Sequence, residues 1–336
     1  MRTLRAGVIG GGEIAQVAHL PAYQSSDAVE LAAVADLNLE RRKKVADEFG
    51  IESVYESATD LLTDDSLDMV SICTPPSTHK ELFVEAARQG FDVYCEKPLT
   101  TDSESARHMA AVAADNETIT QVGYTLEYAE NYRKVKTYVE NGLLGDILSC
   151  QIYCLIPSPT TAWRYDPAVA GGGIVSDMLP HWLHYYWKLF GRKPVVDSSR
   201  IHQIHTDGVE DFAEIKLSYG ETTVQAILQW TQTGLTSESI RTNILSATEG
   251  TLEFNQETLQ ANIRGKGVSF KHGESPLVSI GPLVQVWGQT AEELYTKPVL
   301  SFIEHVSNRN FDTTAPIGCG VEMMTMLEDI YAAGEN

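Results

Sequence analysis

The stretch YCEKPLT, residues 94–100, places Lys97 between an acid and a proline at the end of an apolar run. An ammonium group there can donate a hydrogen bond to a substrate hydroxyl and stabilise the alkoxide that develops before a hydride leaves. The alternative interpretation is an exposed lysine that pairs with an acid such as the neighbouring Glu96. Pro98 makes the turn rigid under either interpretation.

A second stretch, GGGIVSDMLPHWLH at residues 171–184, brings an acid and two imidazoles onto a predicted helix that is otherwise apolar and aromatic. Asp177 and His181 are four residues apart, and side chains with that spacing share one helix face. Pro180 can break or kink a helix, so the shared face requires the helix to continue through it. Taken alone, the pair is better explained as a capping acid and a packed histidine. A metal site with His184 fits the spacing, but no metal is predicted.

The first apolar run ends in GVIGGGEIAQ, which has the form G-x-G-x-x-A between a predicted strand and a predicted helix. Gly10 allows the tight turn, Gly12 lets the backbone approach a pyrophosphate, and Ala15 lets the helix pack closely on the strand. The helix N-terminus adds N–H donors and a partial positive charge. The pattern therefore predicts a site for the phosphates of a dinucleotide.

Asp36 follows the second predicted strand, VELAAVAD, at the position where a carboxylate can bind the diol of a ribose. The alternative is an acid that only caps a helix or lies in a loop. A carboxylate there would repel a 2′-phosphate, which favours NAD over NADP. NADP stays possible because four basic residues follow closely, and arginine can accommodate that phosphate: Arg41, Arg42, Lys43 and Lys44.

Two later strands also end in candidates for cofactor contact, since ligands of open α/β sheets lie beyond the carboxyl ends of the strands. One end is CTPPSTH, residues 73–79, and the other is the stretch that contains Lys97. A helix-end role without cofactor contact is an equally good interpretation of His79. The complete set predicted to contact the cofactor is Gly10, Gly12, Glu13, Ile14, Ala15, Asp36, Thr74, Pro75, His79, Glu96 and Lys97.

The secondary structure predicted around these residues follows one pattern in the first part of the sequence and another in the rest. From residue 4 to about 123, short apolar runs alternate with helical patterns, which predicts a doubly wound parallel sheet in a dinucleotide-binding domain, residues 1–123. Residues 124–336 carry closely spaced strand patterns, a helix at 174–190 and a final helix. This predicts an α+β domain on a large, mainly antiparallel open sheet. Its open face is expected to bind another copy of the chain, forming a homodimer or homotetramer.

Composition excludes several partners. The 336 residues carry a formal net charge of −21, which disfavours nucleic acids and anionic membranes. We find no apolar run near the roughly 18 to 20 residues of a membrane helix and no secretory signal. The five scattered cysteines indicate reduced thiols and a cytoplasmic protein.

These motifs together resemble the glucose-fructose oxidoreductase and inositol dehydrogenase family, also called Gfo/Idh/MocA. The resemblance rests on GGGEIAQVAHLPAY, Asp36, CTPPSTH, the E-K-P triplet and GGGIVSDMLPHWLH, in that order along the chain. It implies an NAD(P)-dependent oxidoreductase that acts on a secondary hydroxyl of a sugar, cyclitol or related polyol. It also implies a catalytic set of Lys97, Asp177 and His181, with the imidazole accepting the hydroxyl proton.

The chain also departs from the family pattern. Leu179 stands where many relatives have glycine, and Thr125 and Glu127 replace the usual asparagine and arginine. These changes predict an unusual substrate or a rearranged pocket, and they keep two alternatives open. One is a non-catalytic nucleotide-binding regulator, and the other is a redox-neutral enzyme that recycles bound NAD. The residues that the resemblance predicts to contact the substrate are Lys97, Tyr124, Trp163, Arg164, Asp177, His181 and His184.

Overall fold

The computed structural model describes residues 2–231, 239–263, 283–286 and 291–334. The chain divides into two compact units, and each combines separate stretches of the sequence. The first unit comprises Met1–Thr125, Trp163–Gly172 and Thr290–Glu328, and the second comprises Leu126–Ala162, Gly173–Gln289 and Asp329–Asn336. The single division predicted between residues 123 and 124 lies close to the first break. The two later returns to the first unit were not predicted.

The first unit contains a six-stranded sheet in the order β3-β2-β1-β4-β5-β6, and every pairing within it is parallel. The order reverses between β1 and β4, and in such sheets this is the point where dinucleotides bind. The predicted doubly wound sheet is confirmed. Its strands are β1 (Leu4–Ile9), β2 (Val29–Ala35), β3 (Ser53–Tyr55), β4 (Met69–Ile72), β5 (Asp92–Cys95) and β6 (Thr120–Val122).

The second unit contains an eight-stranded sheet in the order β14-β13-β12-β11-β7-β10-β9-β8. Among its described pairings only β7 with β10 is parallel, which confirms the predicted mainly antiparallel sheet. Its strands are β7 (Ile147–Pro157), β8 (Val195–His202), β9 (Phe212–Tyr219), β10 (Thr222–Thr231), β11 (Ile240–Ala247), β12 (Gly250–Phe254), β13 (Thr258–Ile263) and β14 (Leu283–Val286).

The helices of the described chain include short connecting turns as well as long packed helices. The α-helices are α1 (Leu20–Gln24), α2 (Leu39–Phe49), α3 (Ala58–Leu62), α4 (Pro76–Arg88), α5 (Ser103–Asp115), α6 (Glu130–Glu140), α7 (Pro167–Ala170), α8 (Ile174–Phe190), α9 (Ala291–Ser307) and α10 (Ile317–Gly334). A π-helical segment, Ala15–His19, precedes α1, and 3₁₀ turns form at Leu126–Tyr128 and Ala162–Tyr165. Among the described helices, none combines the length and the apolar character that crossing a bilayer requires.

Burial follows the sequence pattern in each sheet. Helices cover both faces of a doubly wound sheet, so successive residues of its central strands are buried, and Val8, Val34 and Val93 are each 0% exposed. Strands β7 and β10 instead alternate between buried and half-buried positions, which is the pattern of a sheet covered on one face. Helix α8 packs against β9 and β10 and supplies part of that cover.

Candidate active site

The glycine turn after β1 combines one position that the protein itself restricts with one that it leaves open. A Cβ added at Gly10 would lie 2.7 Å from the carbonyl oxygen of Cys73, and the φ of +92° is unfavourable for other residues. A Cβ added at Gly12 would meet no protein atom within 4 Å. The protein's own packing therefore does not require glycine at position 12, and the space fits the approach of a pyrophosphate to the backbone. Glu13 and Ile14 lie at the start of the helical turn that follows.

Asp36 lies at the end of β2 and is only 7% exposed. Its Oδ2 accepts hydrogen bonds from the Gly11 N–H at 2.8 Å and from Arg41 Nε at 2.7 Å. Its Oδ1 accepts from the Asn38 N–H at 2.7 Å and from Arg41 Nη2 at 2.9 Å. Burial alone would raise the pKa of Asp36, but the Arg41 guanidinium and the two N–H groups together lower it. Both oxygens of this carboxylate therefore already accept hydrogen bonds from the protein.

His79 lies on α4 with its ring fully buried. Its Nε2 is 2.7 Å from the carbonyl oxygen of Thr74, and its Nδ1 is 3.1 Å from those of Pro98 and Leu99. Burial lowers the pKa of this imidazole, although these carbonyl groups and Glu96 act in the opposite direction. Main-chain carbonyl oxygens face both ring nitrogens, and the cofactor contact of His79 stays a prediction. The histidine instead ties the loop after β4 to the loop after β5.

The carboxylate of Glu96 is held from several sides at the end of β5. Its Oε1 lies 3.0 Å from His19 Nε2, and its Oε2 accepts the Lys97 N–H at 3.1 Å. A Cβ added at Gly123 would lie 2.6 Å from Oε2, so this glycine leaves the carboxylate its space. Glu96 is 8% exposed, whereas the side chain of Lys97 is half-buried. A buried acid therefore precedes the proposed catalytic lysine.

Three further predicted substrate contacts belong to the first unit. Tyr124 is 1% exposed, and burial raises the pKa of its hydroxyl well above the usual value. Trp163 and Arg164 are half-buried, and the guanidinium carbon of Arg164 lies 4.8 Å from the centroid of the Trp163 ring. Such stacking orients the indole and the cation together.

Helix α8 continues through Pro180, so Asp177 and His181 share one face, as the i, i+4 spacing requires. Both side chains are half-buried, whereas Leu179 and Trp182 on the same helix are buried. The acid and the imidazole thus occupy the more accessible side of the helix. Pro180 lies inside the helix without ending it, at the cost of one intrahelical N–H.

The N-terminus of α8 is bound by an acid that the sequence analysis did not identify. The Ile174 N–H donates to the main-chain oxygen of Glu210, and the Val175 N–H donates to its Oε1, both at 3.0 Å. Tyr331 donates its hydroxyl hydrogen to the same Oε1 at 2.7 Å. A Cβ added at Gly173 would lie 1.9 Å from the Glu210 carbonyl oxygen, so only glycine fits there. A carboxylate at this end of a helix also interacts favourably with the helix dipole.

His184 lies one turn beyond His181 but is 1% exposed. Burial, followed by the charges of Lys188 and Lys136, lowers its pKa to about 3. The ring is thus enclosed by the protein to the same extent as Tyr124, and the substrate contact of both residues stays a prediction. Glu127 lies near the same lysines, with its Oε2 3.6 Å from Lys136 Nζ, and burial raises its pKa despite their charges.

The glycine turn and the six-stranded parallel sheet define a Rossmann fold, and the eight-stranded sheet with its helices defines an α+β unit. Residues 4–124 match the family model described as "Oxidoreductase family, NAD-binding Rossmann fold", and residues 132–253 match the "GFO/IDH/MocA C-terminal domain". The chain therefore belongs to the Gfo/Idh/MocA oxidoreductase family, which confirms the resemblance seen in its motifs.

Individual relatives agree with this assignment. The chain is 25% identical over 337 residues to "Oxidoreductase P35" of Formosa agariphila, with 97% of each chain covered. It is 30% identical to "Myo-inositol 2-dehydrogenase" of Thermotoga maritima, but this match covers 53% of this chain and 52% of that one. The structure of levoglucosan dehydrogenase in complex with NADH and L-sorbose superposes with a TM-score of 0.85 at 19% identity, covering 100% of this chain and 97% of that one. This last likeness shows the fold.

Proposed function

We propose that the protein is an NAD(P)-dependent dehydrogenase that transfers hydride between a secondary hydroxyl of a sugar, cyclitol or related polyol and a nicotinamide ring. The main support is the combination of a glycine turn that is open at Gly12 with a lysine that follows a buried acid at the end of β5. The curated relatives add support, since they include inositol 2-dehydrogenases, a levoglucosan dehydrogenase and a D-glucoside 3-dehydrogenase.

The proposed chemistry assigns one step to each polar side chain. His181 accepts the proton of the reacting hydroxyl, since histidine is the side chain that most often acts as a general base. Lys97 donates a hydrogen bond to the oxygen and stabilises the developing alkoxide. Asp177 orients the substrate or supports the imidazole. When bound, the nicotinamide supplies the hydride acceptor, while the N–H groups after β1 hold the pyrophosphate.

Of the two nicotinamide cofactors, NAD and NADP, we propose that the protein prefers NAD. Asp36 is ionised, because its pKa is lowered, and a carboxylate at this position repels a 2′-phosphate. Arg41, which would otherwise favour that phosphate, forms two hydrogen bonds with Asp36. We expect a higher kcat/KM with NAD than with NADP.

The proposal also covers the oligomeric state and the location of the protein in the cell. The open face of the second sheet is proposed to form a homodimer or homotetramer. A cytoplasmic location is proposed because no disulfide joins the five cysteines, all of which lie buried in the described part of the chain.

A panel of sugars, cyclitols and polyols, each with NAD and with NADP across pH 6 to 10, tests the function directly. The expected result is reduction of the cofactor with at least one substrate. Tight NADH binding without any turnover would instead support a regulator. Conversion of substrate without net accumulation of NADH would support a redox-neutral enzyme.

A further inference from the structure

A chain of buried polar side chains lies behind the Glu96 carboxylate, and the proposed mechanism does not use it. The Tyr23 hydroxyl is 2.6 Å from Ser71 Oγ, which is 2.8 Å from His19 Nδ1. His19 Nε2 then lies 3.0 Å from Glu96 Oε1. His19 and Ser71 are 0% exposed and Tyr23 is 1% exposed. Because burying polar groups is costly unless they are hydrogen-bonded, such a chain is ordered by its own partners.

The chemistry of the groups assigns a direction to these hydrogen bonds. A carboxylate that is ionised only accepts, so with Glu96 ionised His19 donates to it from Nε2. In the neutral ring, Nδ1 then accepts from the Ser71 hydroxyl, and Ser71 in turn accepts from Tyr23. Burial raises the pKa of Tyr23, which keeps its phenol protonated as the first donor. Every hydroxyl hydrogen in the chain thus has an acceptor.

The local backbone and ring packing hold His19 in place. It is the last residue of the π-helical segment Ala15–His19, which follows the glycine turn, and π-helical turns often occur at functional sites. Its ring packs edge-on against Tyr94, with centroids 4.7 Å apart, and Tyr94 packs edge-on against Phe302. The imidazole therefore has little freedom to turn away from Glu96.

The hydrogen-bonded side chains Tyr23, Ser71 and His19 can affect Lys97 only through the Glu96 carboxylate. One oxygen of Glu96 faces His19, and the other accepts the Lys97 N–H at 3.1 Å. Gly123 lies so close to the carboxylate that a Cβ there would clash with both of its oxygens. Glu96 is thus restrained at Oε1 by His19 and on its flank by Gly123. The carboxylate therefore contacts the main-chain N–H of Lys97, the residue whose side chain is proposed to act on the substrate.

We infer that His19 is a positioning residue for Lys97, which it fixes by holding the Glu96 carboxylate. The inference rests on the proposed dehydrogenase function for the importance of Lys97. His19 itself touches neither substrate nor cofactor in this scheme. Loss of its hydrogen bond lets Glu96 rotate and leaves the ammonium less well aligned with the reacting oxygen. Misplacement of a reacting group by about 1 Å can lower a rate by about 100-fold.

Three substitutions separate positioning from simple packing. His19→Leu removes the hydrogen bond, and we expect kcat to fall at least about 10-fold while the Kd for NADH changes less than about twofold. His19→Gln can still donate from its amide nitrogen to Glu96, and kcat should return to within about threefold of wild type. Tyr23→Phe removes only the hydrogen bond to Ser71, the one most distant from Glu96, and should lower kcat less than about threefold. Equal losses in His19→Leu and His19→Gln would overturn the inference.

A double-mutant cycle with Glu96→Gln gives the sharper test. If His19 acts through the carboxylate, adding His19→Leu to Glu96→Gln lowers kcat little further. If the two losses multiply, His19 acts by another route and the inference is wrong. If His19→Leu does not fold, His19→Gln and His19→Asn take its place in the cycle, since the Asn amide cannot reach Glu96.

A measurement without cofactor distinguishes this inference from the proposed function. The His19 Nε2–H should give a slowly exchanging imidazole signal in the NMR spectrum of the cofactor-free protein, absent in His19→Gln and shifted by Glu96→Gln. A His19 signal that Glu96→Gln leaves unchanged would overturn the link. A wild-type protein with no turnover on any polyol would refute the dehydrogenase proposal, while the NMR result would still decide whether His19 holds Glu96.

Discussion

The loop that carries Lys97 and the helix that carries His181 are held in place in different ways. In the first unit, side chains far apart in sequence restrain the lysine through hydrogen bonds to one buried acid. In the second unit, the regular geometry of α8 aligns Asp177 with His181, and Glu210 binds the start of the helix. Loop geometry can therefore fail when one polar partner is removed. Helix geometry depends on the backbone and should resist most single side-chain changes.

The largest expected effect is on kcat, and it compares His181 on the helix with Lys97 on the loop. We expect His181→Asn to lower kcat about 1,000-fold, within the range for loss of a general base, with the Kd for NADH nearly unchanged. Lys97→Met should lower kcat by a similar factor and also weaken NADH binding, because Lys97 is a predicted cofactor contact as well. Steady-state kinetics and NADH fluorescence titrations measure both quantities. If His181→Asn keeps the wild-type kcat, the imidazole is not the base.

The dependence of α8 on its backbone geometry can be tested at Gly173, the residue that precedes the helix. Gly173→Ala places a Cβ 1.9 Å from the Glu210 carbonyl oxygen, and we expect the free energy of unfolding to fall by about 3 kcal/mol. Gly318→Ala is the matched control, because its Cβ would meet no atom within 4 Å and alanine favours a helix. Urea unfolding measures both variants. Equal stabilities would show that the start of α8 adapts easily.

The buried His184 predicts a loss of stability in acid. Its folded-state pKa of about 3 lies below the unfolded value of about 6.5, so the unfolded state binds more protons between these values. Stability therefore falls as pH decreases below about 6.5, by about 2 kcal/mol between pH 7 and pH 5. His184→Leu should remove this part of the loss in urea unfolding at both pH values. The exposed His108 on α5 provides a control, as His108→Leu should leave the difference between pH 7 and pH 5 intact.

The smallest expected effect concerns the charge at the start of α8. Glu210→Gln keeps an oxygen that can accept from Val175 and Tyr331 but removes the negative charge near the helix N-terminus. We expect a loss of about 0.5 to 1 kcal/mol in the free energy of unfolding and little change in kcat. A large loss of kcat with unchanged stability would indicate that the carboxylate has a direct part in the reaction.

The sequence predicts well those features that depend on local spacing. Alternating apolar runs predicted the parallel sheet, and the helix at residues 174–190 was correct at both ends, since glycines flank an apolar segment. Helix α9 was not predicted, because Pro298 interrupts its pattern. Helix α6 was also missed, although its amphipathic spacing offered a signal that could have found it.

Contacts between distant residues explain most of what was missed at the site. His19 and Glu96 are 77 residues apart, and no periodicity links them. Glu210 lies 35 residues beyond Val175, the residue whose N–H it accepts. His79 follows a strand end, where cofactor contacts are common, yet its ring turns into the protein. Only the tertiary structure reveals this direction, because the sequence pattern is the same for either orientation.

The pairing of Arg41 with Asp36 has an evolutionary consequence. A cation that could hold a phosphorylated ribose is already present beside β2, and the Asp36 carboxylate engages it through two hydrogen bonds. Loss of that carboxylate would release the guanidinium and abolish the repulsion in one event. If the protein prefers NAD as proposed, we therefore expect few substitutions to be enough to change this preference to NADP.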